Sequence, residues 1–258
     1  MKMMKLALAT LVASGAVSAN AAEAGKLGWT ADMAASLILE RGNSESNAVN
    51  GNLNAAREGV LWRNTIKAEG TNKEERVTDP VTGKDDYVRT GERYYGLYKL
   101  DRKLGENSAN YFFNVGTYEK DAFSGFHYQA TYALGLGRRF ISNDKHTLDA
   151  EIGPGYRWRC LEPQDGYFSC DQDDNEPIAR IAAKYKWLIS DTADFSQEVS
   201  TEAGEDGAST RAESVLNSKI NAKFSLRVRY LLEHESEPGP GAKEADHEFT
   251  VGLVYTIK

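Results

Sequence analysis

The sequence predicts an all-β fold, a 12-stranded antiparallel up-and-down transmembrane β-barrel, and two patterns lead to that prediction. Apolar and polar residues alternate along one segment after another, as in strands with one apolar and one polar face. The connections between these segments alternate between tight and long. Barrels of the outer membrane show this asymmetry, together with an even number of strands.

The N-terminal residues 1–21 are predicted to be a signal peptide that precedes a barrel domain over residues 22–258. Lys2 and Lys5 form a charged region, the run from Leu6 to Ala19 is apolar, and Ala19-Asn20-Ala21 supplies small residues for cleavage. Removal of two lysines and no acid changes the net charge from −7 to −9. With no basic block either, the sequence argues against a nucleic-acid partner.

Twelve strands follow, each showing alternation and none showing a sustained helical repeat. No apolar run of about 18 residues occurs after the signal, which excludes helical spans but not a membrane barrel. The predicted strands are Trp29–Glu40, Asn47–Arg57, Leu61–Thr71, Tyr87–Leu100, Ala109–Lys120, Phe126–Phe140, His146–Arg159, Ile178–Ile189, Ala193–Ala203, Arg211–Ile220, Phe224–His234 and His247–Ile257.

The connections sort by position along the chain. Odd-numbered connections are expected to be longer and polar, notably 72–86, 160–176 and 235–246, with moderate ones at 41–46, 121–125 and 204–210. Tight hairpins are expected at 58–60, 105–107, 142–145, 190–192 and 221–223. Long loops therefore gather at one end of the meander and tight turns at the other, and a soluble sandwich has little reason for such sorting.

Alternation alone does not decide which way the apolar faces point. The apolar face of a strand points inward in a soluble barrel and outward in a membrane barrel, and the same sequence pattern fits both. Twelve strands favour the membrane reading, since a soluble barrel that wide would need bulkier contents. In strand six, Phe126, Tyr128, Ala130, Tyr132, Leu134 and Leu136 are then expected to face lipid. The residues expected to line the lumen are His127, Gln129, Thr131, Arg139, Asp149, Glu151, Arg157, Arg159, Arg180, Lys184, Lys186, Arg227, Arg229 and Glu233.

Three local features refine the prediction. Pro154 lies inside strand seven between two glycines, which predicts a β-bulge. Cys160 and Cys170 predict a disulfide, because an exported chain with one close pair and no flanking ligands favours a disulfide over a metal site. The C-terminal TVGLVYTIK is similar to the insertion signal that barrel-assembly machinery reads, with Ile257 where an aromatic residue is usual.

Several stretches together resemble the domain-of-unknown-function 481 family, whose members are often labelled salt-induced outer-membrane proteins. They include GERYYGLYKLDRKL, FSGFHYQATYALGLGRRFI, HTLDAEIGPGYRW and LEHESEPGPGAKEADHEFTVGLVYTI. The resemblance spans residues 29–258 and implies an outer-membrane β-barrel without an established activity, so it carries over no catalytic residues. The Cys160–Cys170 segment and Lys258 depart from the family pattern.

Other chemistries remain as alternatives. Ser124 and His127 would be the pair to test for a lipid-modifying barrel enzyme, and a soluble periplasmic β-barrel is the third possibility. The glycines of GLGRR lie within a strand with no helix after them, which disfavours a phosphate site. The acidic residues Asp171, Asp173, Asp174 and Glu176 could hold cations, although a solvated charge run is the simpler interpretation.

The function expected from these features is an envelope role, structural or as a narrow channel for small solutes or ions. The sequence predicts no enzymatic activity, no cofactor and no metal. The expected partners are outer-membrane lipid, lipopolysaccharide and, during insertion, the barrel-assembly machinery.

Overall fold

A computed structural model describes residues 28–40, 46–78, 85–121, 126–163, 170–238 and 243–257, and these residues form one closed antiparallel barrel. The signal-peptide prediction lies outside the described residues. The strands are β1 (Gly28–Glu40), β2 (Ser46–Glu58), β3 (Trp62–Thr78), β4 (Asp85–Lys103), β5 (Asn110–Asp121), β6 (Tyr128–Ser142), β7 (His146–Pro163), β8 (Cys170–Ser190), β9 (Ala193–Gly204), β10 (Gly207–Lys219), β11 (Phe224–Glu235) and β12 (Ala245–Ile257).

Each strand pairs with its neighbours in sequence, and β1 pairs with β12 to close the ring. This arrangement confirms the predicted fold class, a 12-stranded up-and-down barrel. Closure gives every strand a partner on both sides, although β1 and β12 are joined over only five residue pairs. Among the described residues, no helix has the length and apolarity needed to cross a membrane.

The two ends of the barrel differ in their connections. Residues 59–61, 104–109, 143–145, 191–192 and 220–223 connect strands at one end, here called the turn end. The other end, here called the loop end, carries the remaining connections. Its two tallest hairpins are β3–β4 and β7–β8, whose strands are 17, 19, 18 and 21 residues long.

The tall hairpins correct part of the predicted loop pattern. The acidic run 171–176 was expected in a loop, but it belongs to β8 and pairs with β7 as far as Pro163 and Cys170. Polar side chains favoured a loop in the sequence, whereas the ladder depends on backbone groups that pair whatever the side chains are. The connection expected over 204–210 is likewise only Glu205-Asp206, and Gly207 has the positive φ of 103° that this turn requires.

The bulge predicted at Pro154 is wrong. The β6–β7 register is the same on both sides of it, from Ala133–Gly155 to Leu136–Ile152, and only the ladder between them is interrupted. Pro154 has no N–H to donate, and the strands approach closely through two glycines instead of looping out a residue. A Cβ on Gly153 would lie 2.0 Å from the carbonyl oxygen of Leu134.

The outer face of the barrel is apolar over its central height. Ile152 and Ile181 are among its most exposed side chains, at 61% and 58%. Aromatic side chains are exposed near both ends of the strands, which is the distribution of the two aromatic girdles of a membrane barrel. They include Trp29, Trp62, Phe140, Trp187, Phe224 and Tyr255 towards the turn end, and Tyr118, Tyr156, Trp158, Tyr230 and Phe249 towards the loop end.

Candidate functional site

The interior of the barrel is filled by charged side chains that pair across it. Buried charged residues come from five different strands, β4, β7, β8, β9 and β11, and they alternate along each strand with residues on the outward face. An isolated buried charge is strongly unfavourable, so the pairing of these groups decides whether the interior is stable. The buried charged residues are Arg93, Asp101, Asp149, Glu151, Arg157, Arg159, Glu176, Arg180, Glu202 and Arg229.

At mid-height, Glu69 of β3 accepts hydrogen bonds from two arginines on distant strands. Arg211 of β10 donates to both of its carboxylate oxygens at 2.9 Å, and Arg229 of β11 donates at 2.8 Å. Such charge-assisted bonds to one carboxylate are strong and directional. They connect β3 to strands four and five places away around the ring.

Lys67, two residues before Glu69, spans the full width of the lumen. Its Nζ lies 3.1 Å from Glu198 of β9 and 3.2 Å from Glu213 of β10. β3 and β9 are six places apart in a ring of twelve strands, so they are diametrically opposite. The Lys67–Glu198 ion pair therefore joins opposite walls of the barrel.

Arg93 of β4 completes this layer. Its guanidinium lies 2.5 Å from Glu119 and 2.5 Å from Glu233 of β11, and Glu233 also pairs with Arg211. We call this set the central tier. It consists of Lys67, Glu69, Arg93, Glu119, Glu198, Arg211, Glu213, Arg229 and Glu233.

A second layer lies nearer the turn end. Arg63 of β3 contacts Asp101 at 2.6 Å and reaches Asp149 of β7 at 3.3 Å. Arg139 holds both oxygens of Asp149 at 2.8 and 2.9 Å. Lys99 of β4 pairs with Glu151 of β7, to which Tyr111 also donates at 2.8 Å. We call Arg63, Lys99, Asp101, Arg139, Asp149 and Glu151 the turn-end tier.

The loop end carries a third group of contacts on β6 to β11. Glu202 accepts from Arg180 at 2.7 Å and from Thr131 at 3.0 Å. Arg159 donates to Gln129 at 2.8 Å and to Glu235 at 2.9 Å. The neighbouring Arg157 is fully buried and pairs with Glu176. These contacts join the tall β7–β8 hairpin to the rest of the wall.

The rim above these contacts is acidic. In the β9–β10 turn, the pKa of Asp206 is raised, mainly because the charge of Asp174 on β8 lies nearby. Within the part of the chain that the structure describes, His, Cys, Asp and Glu side chains form no group of three placed to hold a metal ion.

A cavity of about 100 Å³ opens from the loop end and ends on the central tier. Tyr95, Arg180 and Arg211 are among the residues that line it. Of the described residues that line it, three are basic (Arg180, Arg211 and Lys243) and seven are acidic, so it carries a net negative formal charge. The acidic lining residues are Glu119, Asp121, Glu202, Glu233, Glu235, Glu244 and Asp246.

Twelve of the fourteen candidate lumen residues form hydrogen bonds or ion pairs through their side chains, including Arg227, which pairs with Asp32. Lys184 does so less completely, because it pairs with Glu198 at 3.1 Å while half of its side chain stays exposed. Lys186 is half-buried towards the turn end. His127 lies before β6 begins and contacts the ring of Tyr128, with ring centroids 6.1 Å apart.

The expectation that Phe126 faces lipid is wrong. Its side chain is buried, the guanidinium of Arg159 stacks over its ring at 4.7 Å, and it lines the loop-end cavity. β6 starts only at Tyr128, so the alternation that holds for Tyr132, Leu134 and Leu136 does not extend back to this residue. Ser124, the other half of the candidate enzyme pair, lies outside the described residues.

Sequence reasoning missed two parts of the interior. The first is the contribution of β3, where Arg63, Lys67 and Glu69 alternate with Ile66 and Ala68 and could have been found by the same rule. The second is an apolar cluster on the inner wall of β4 to β6. It consists of Tyr95, Leu97, Tyr111, Phe113, Val115 and Ala133, all buried.

The predicted disulfide is confirmed. Cys160 of β7 and Cys170 of β8 are bonded, with their Cα atoms 5.8 Å apart. The bond closes the top of the tall β7–β8 hairpin, directly above the contacts of Arg157 and Arg159.

These features define a class: a closed β-barrel with an apolar exterior, whose interior is occupied by ion pairs. The model of the family described as "Protein of unknown function, DUF481" matches residues 33–257, so the chain belongs to this family, as the sequence resemblance predicted. Along its whole length the chain is 26% identical over 275 residues to the uncharacterized protein YdiY of Escherichia coli (strain K12), with full coverage of both.

Two solved structures align with this chain at low sequence identity. The translocator domain of the autotransporter NalP from Neisseria meningitidis aligns with a TM-score of 0.46 at 9% identity, over 88% of this chain and 86% of that one. The NanC porin aligns with a TM-score of 0.48 at 10% identity, over 89% and 99% of the two chains.

Proposed function

We propose that this protein spans the bacterial outer membrane as a barrel whose lumen is held closed by ion pairs. The apolar outer face with aromatic residues near both ends supports a lipid environment. Every strand has at least 12 residues, which exceeds the roughly 9–11 tilted residues that a transmembrane strand needs. Membrane lipid and lipopolysaccharide are then its surroundings, and barrel-assembly machinery its insertion partner.

The Lys67–Glu198 ion pair is the observation that carries this proposal. It joins opposite walls, and Glu69 and Arg93 add further bridges to β10 and β11 at the same level. A general porin needs an unobstructed aqueous channel. The central tier places ion pairs across the path of such a channel, so the resting barrel is a structural element of the envelope, and any passage through it is limited to water and small ions.

The charge of the loop-end cavity determines whether this passage favours cations or anions. A narrow cavity with an excess of carboxylates attracts cations and repels anions. Any small current that the barrel conducts is therefore carried mainly by cations. No enzymatic activity is part of the proposal.

The test is electrical. We expect the purified protein in planar bilayers to show little conductance compared with a general porin, because the central tier is intact. The double variant Lys67→Ala/Glu69→Ala removes one cation and one anion from the central tier and keeps the net charge. It should conduct several-fold more than the wild type, with a preference for potassium over chloride.

The matched control is Lys73→Ala/Glu75→Ala, which removes an exposed ion pair further along the same strand. It should behave as the wild type. A wild-type conductance as large as that of a porin would refute the closed lumen whether or not the variants fold. Recovery of the protein in the soluble periplasmic fraction, without heat-modifiable gel mobility, would refute the membrane barrel itself.

A further inference from the structure

The ladder that closes the barrel is shorter than its neighbours. Between β1 and β12 the pairing runs only from Ala31–Ile257 to Ala35–Leu253, which is five residue pairs. By comparison, thirteen pairs join β1 to β2, and eleven join β12 to β11. Among the described residues, the loop-end half of β1, from Ser36 to Glu40, therefore pairs with β2 alone.

The same half of β12 is also unpaired on its β1 side. Its residues 245–252 pair with β11 but have no register partner on β1 within the described chain. Unpaired backbone groups in a lipid environment are unfavourable because no water satisfies them. The seam between β1 and β12 is thus the place where the barrel wall is least tightly closed.

Polar side-chain atoms point to this seam from the inside. Ser36 Oγ and Asn50 Oδ1 are buried, and neither has a hydrogen-bond partner in the described part of the protein. Both line a small cavity of about 10 Å³ together with Thr250 and Gly252 of β12. That volume is about the space of a single water molecule, so a larger group enters only if the parted strands separate further.

The cavity lies on the lumen side of the wall, beside the seam. Ser36, Asn50 and Thr250 lie on the inward face, whereas Ala35, which also lines it, is exposed on the outward face. Beside it on β12, Phe249 and Val251 are exposed outward at 64% and 50%. An apolar chain on this outer surface is then separated from the cavity by the backbone segments of β1 and β12 that lack a mutual ladder.

We propose that the β1–β12 seam is a lateral portal that binds hydroxyl-bearing amphiphiles from the surrounding lipid. Ser36 and Asn50 bind the hydroxylated head group, and Phe249 and Val251 contact the apolar chain. The proposal rests on the membrane location proposed above and adds a ligand class to it.

The charges around the seam favour a neutral head group over an anionic one. Arg229 also lines the cavity, but its guanidinium is already paired with Glu69 at 2.8 Å and Glu248 at 2.7 Å. The neighbouring Arg227 is paired with Asp32 at 2.7 Å. An anion would have to displace these carboxylates, whereas a hydroxyl can donate to the free Asn50 Oδ1 and exchange a hydrogen bond with Ser36.

The experiment uses photoreactive probes in phosphatidylcholine vesicles that contain the full-length barrel. One probe is an alkyl glycerol ether with two free hydroxyls, and the other has the same alkyl chain on a phosphocholine head without a hydroxyl. After irradiation, labelled peptides are mapped by mass spectrometry. We expect the glycerol probe to concentrate on β1 and β12, and the phosphocholine probe to label the outer faces of all strands evenly.

Ser36→Ala/Asn50→Ala should reduce this concentrated labelling about tenfold, because the two hydrogen bonds to the head group are lost. Asn54→Ala is the matched control, since Asn54 lies on the inward face of β2 opposite the paired part of β1. It should leave the labelling unchanged. Heat-modifiable mobility reports whether each variant is folded, and the comparison of the two probes on the wild type needs no variant.

A second variant closes the portal. A Cβ on Gly252 would lie 3.6 Å from the Cβ of Ser36, within the range of about 3.5–4.5 Å found in disulfides. Oxidised Ser36→Cys/Gly252→Cys should therefore lose the concentrated labelling, while an Ala34→Cys/Val254→Cys bridge in the paired part should retain it. Even labelling of all strands by both probes would refute the portal and leave the membrane barrel standing, whereas an absence of labelling on every strand would refute the membrane barrel.

Discussion

The wall formed by β3, β4 and β7 to β11 differs from the wall formed by β1, β2 and β12. The first carries the ion pairs that cross the lumen, with arginines and carboxylates holding strands on opposite sides together. The second is lined mostly by small side chains such as Ala34, Ala48 and Asn50 and closes through a short ladder. Ion pairs also reach this second wall, as in Asp32–Arg227 and Glu248–Arg229, but they are fewer there.

This difference shows that the ladder alone does not explain the closed shape. The interior of a twelve-stranded ring is wide, and the small neutral side chains on β1, β2 and β12 do not fill it. On the other wall, long charged side chains fill the space as a core would. Buried ion pairs add little net stability relative to apolar packing, but losing one partner is strongly destabilising. The central tier therefore fixes the cross-section of the barrel.

Removing the carboxylate shared by two arginines should have the largest effect. Glu69→Ala leaves Arg211 and Arg229 without their common acceptor in a buried position. We expect a loss of about 3–5 kcal/mol in the free energy of unfolding. Urea unfolding of the protein in detergent micelles, followed by tryptophan fluorescence, measures it.

The control for that variant is Glu75→Ala, which breaks only the exposed Lys73–Glu75 pair on the same strand. Exposed pairs contribute between about 0 and 1 kcal/mol, so its unfolding should match the wild type closely. Equal losses for the two variants would show that the central tier does not brace the barrel.

Removing the disulfide should have the next largest effect. The effect should be confined to the wall formed by β3, β4 and β7 to β11. Cys160→Ser/Cys170→Ser removes a cross-link between β7 and β8 whose two positions are ten apart in sequence. Constraint of the unfolded chain by a loop of this size corresponds to about 3 kcal/mol. We expect a lower urea midpoint and faster proteolysis between β7 and β8. Unchanged proteolysis would mean that the hairpin ladder holds this region without the bond.

The smallest of the three effects compares glycines on the two walls. Gly153→Ala places a methyl group 2.0 Å from the backbone oxygen of Leu134, so β6 and β7 must separate. Overpacking of this kind costs about 1–3 kcal/mol. Gly51→Ala on β2 meets nothing within 4 Å and should be neutral. A neutral Gly153→Ala in the same unfolding measurement would contradict the close approach of these strands.

Alternation predicted the strands well because one rule governs them: inward and outward residues differ in polarity. It failed where that rule does not hold. β5 is apolar on both faces around Phe112 and Phe113, so the inner cluster gave no signal. The short β1–β12 ladder depends on two strands that are remote in sequence, and nothing in either strand alone specifies where their pairing stops. The lumen partners of Lys67 depend on the same long-range register.

Hydrogen–deuterium exchange of the folded barrel in lipid vesicles tests the contrast between the two walls most directly. We predict fast exchange for the β12 amides between residues 248 and 252 that face β1, because no ladder partner protects them. At the same height, amides of β10 and β11 should exchange far more slowly. Equal protection of the seam and of β10–β11 would contradict the account, because it would show that the barrel closes as tightly there as everywhere else.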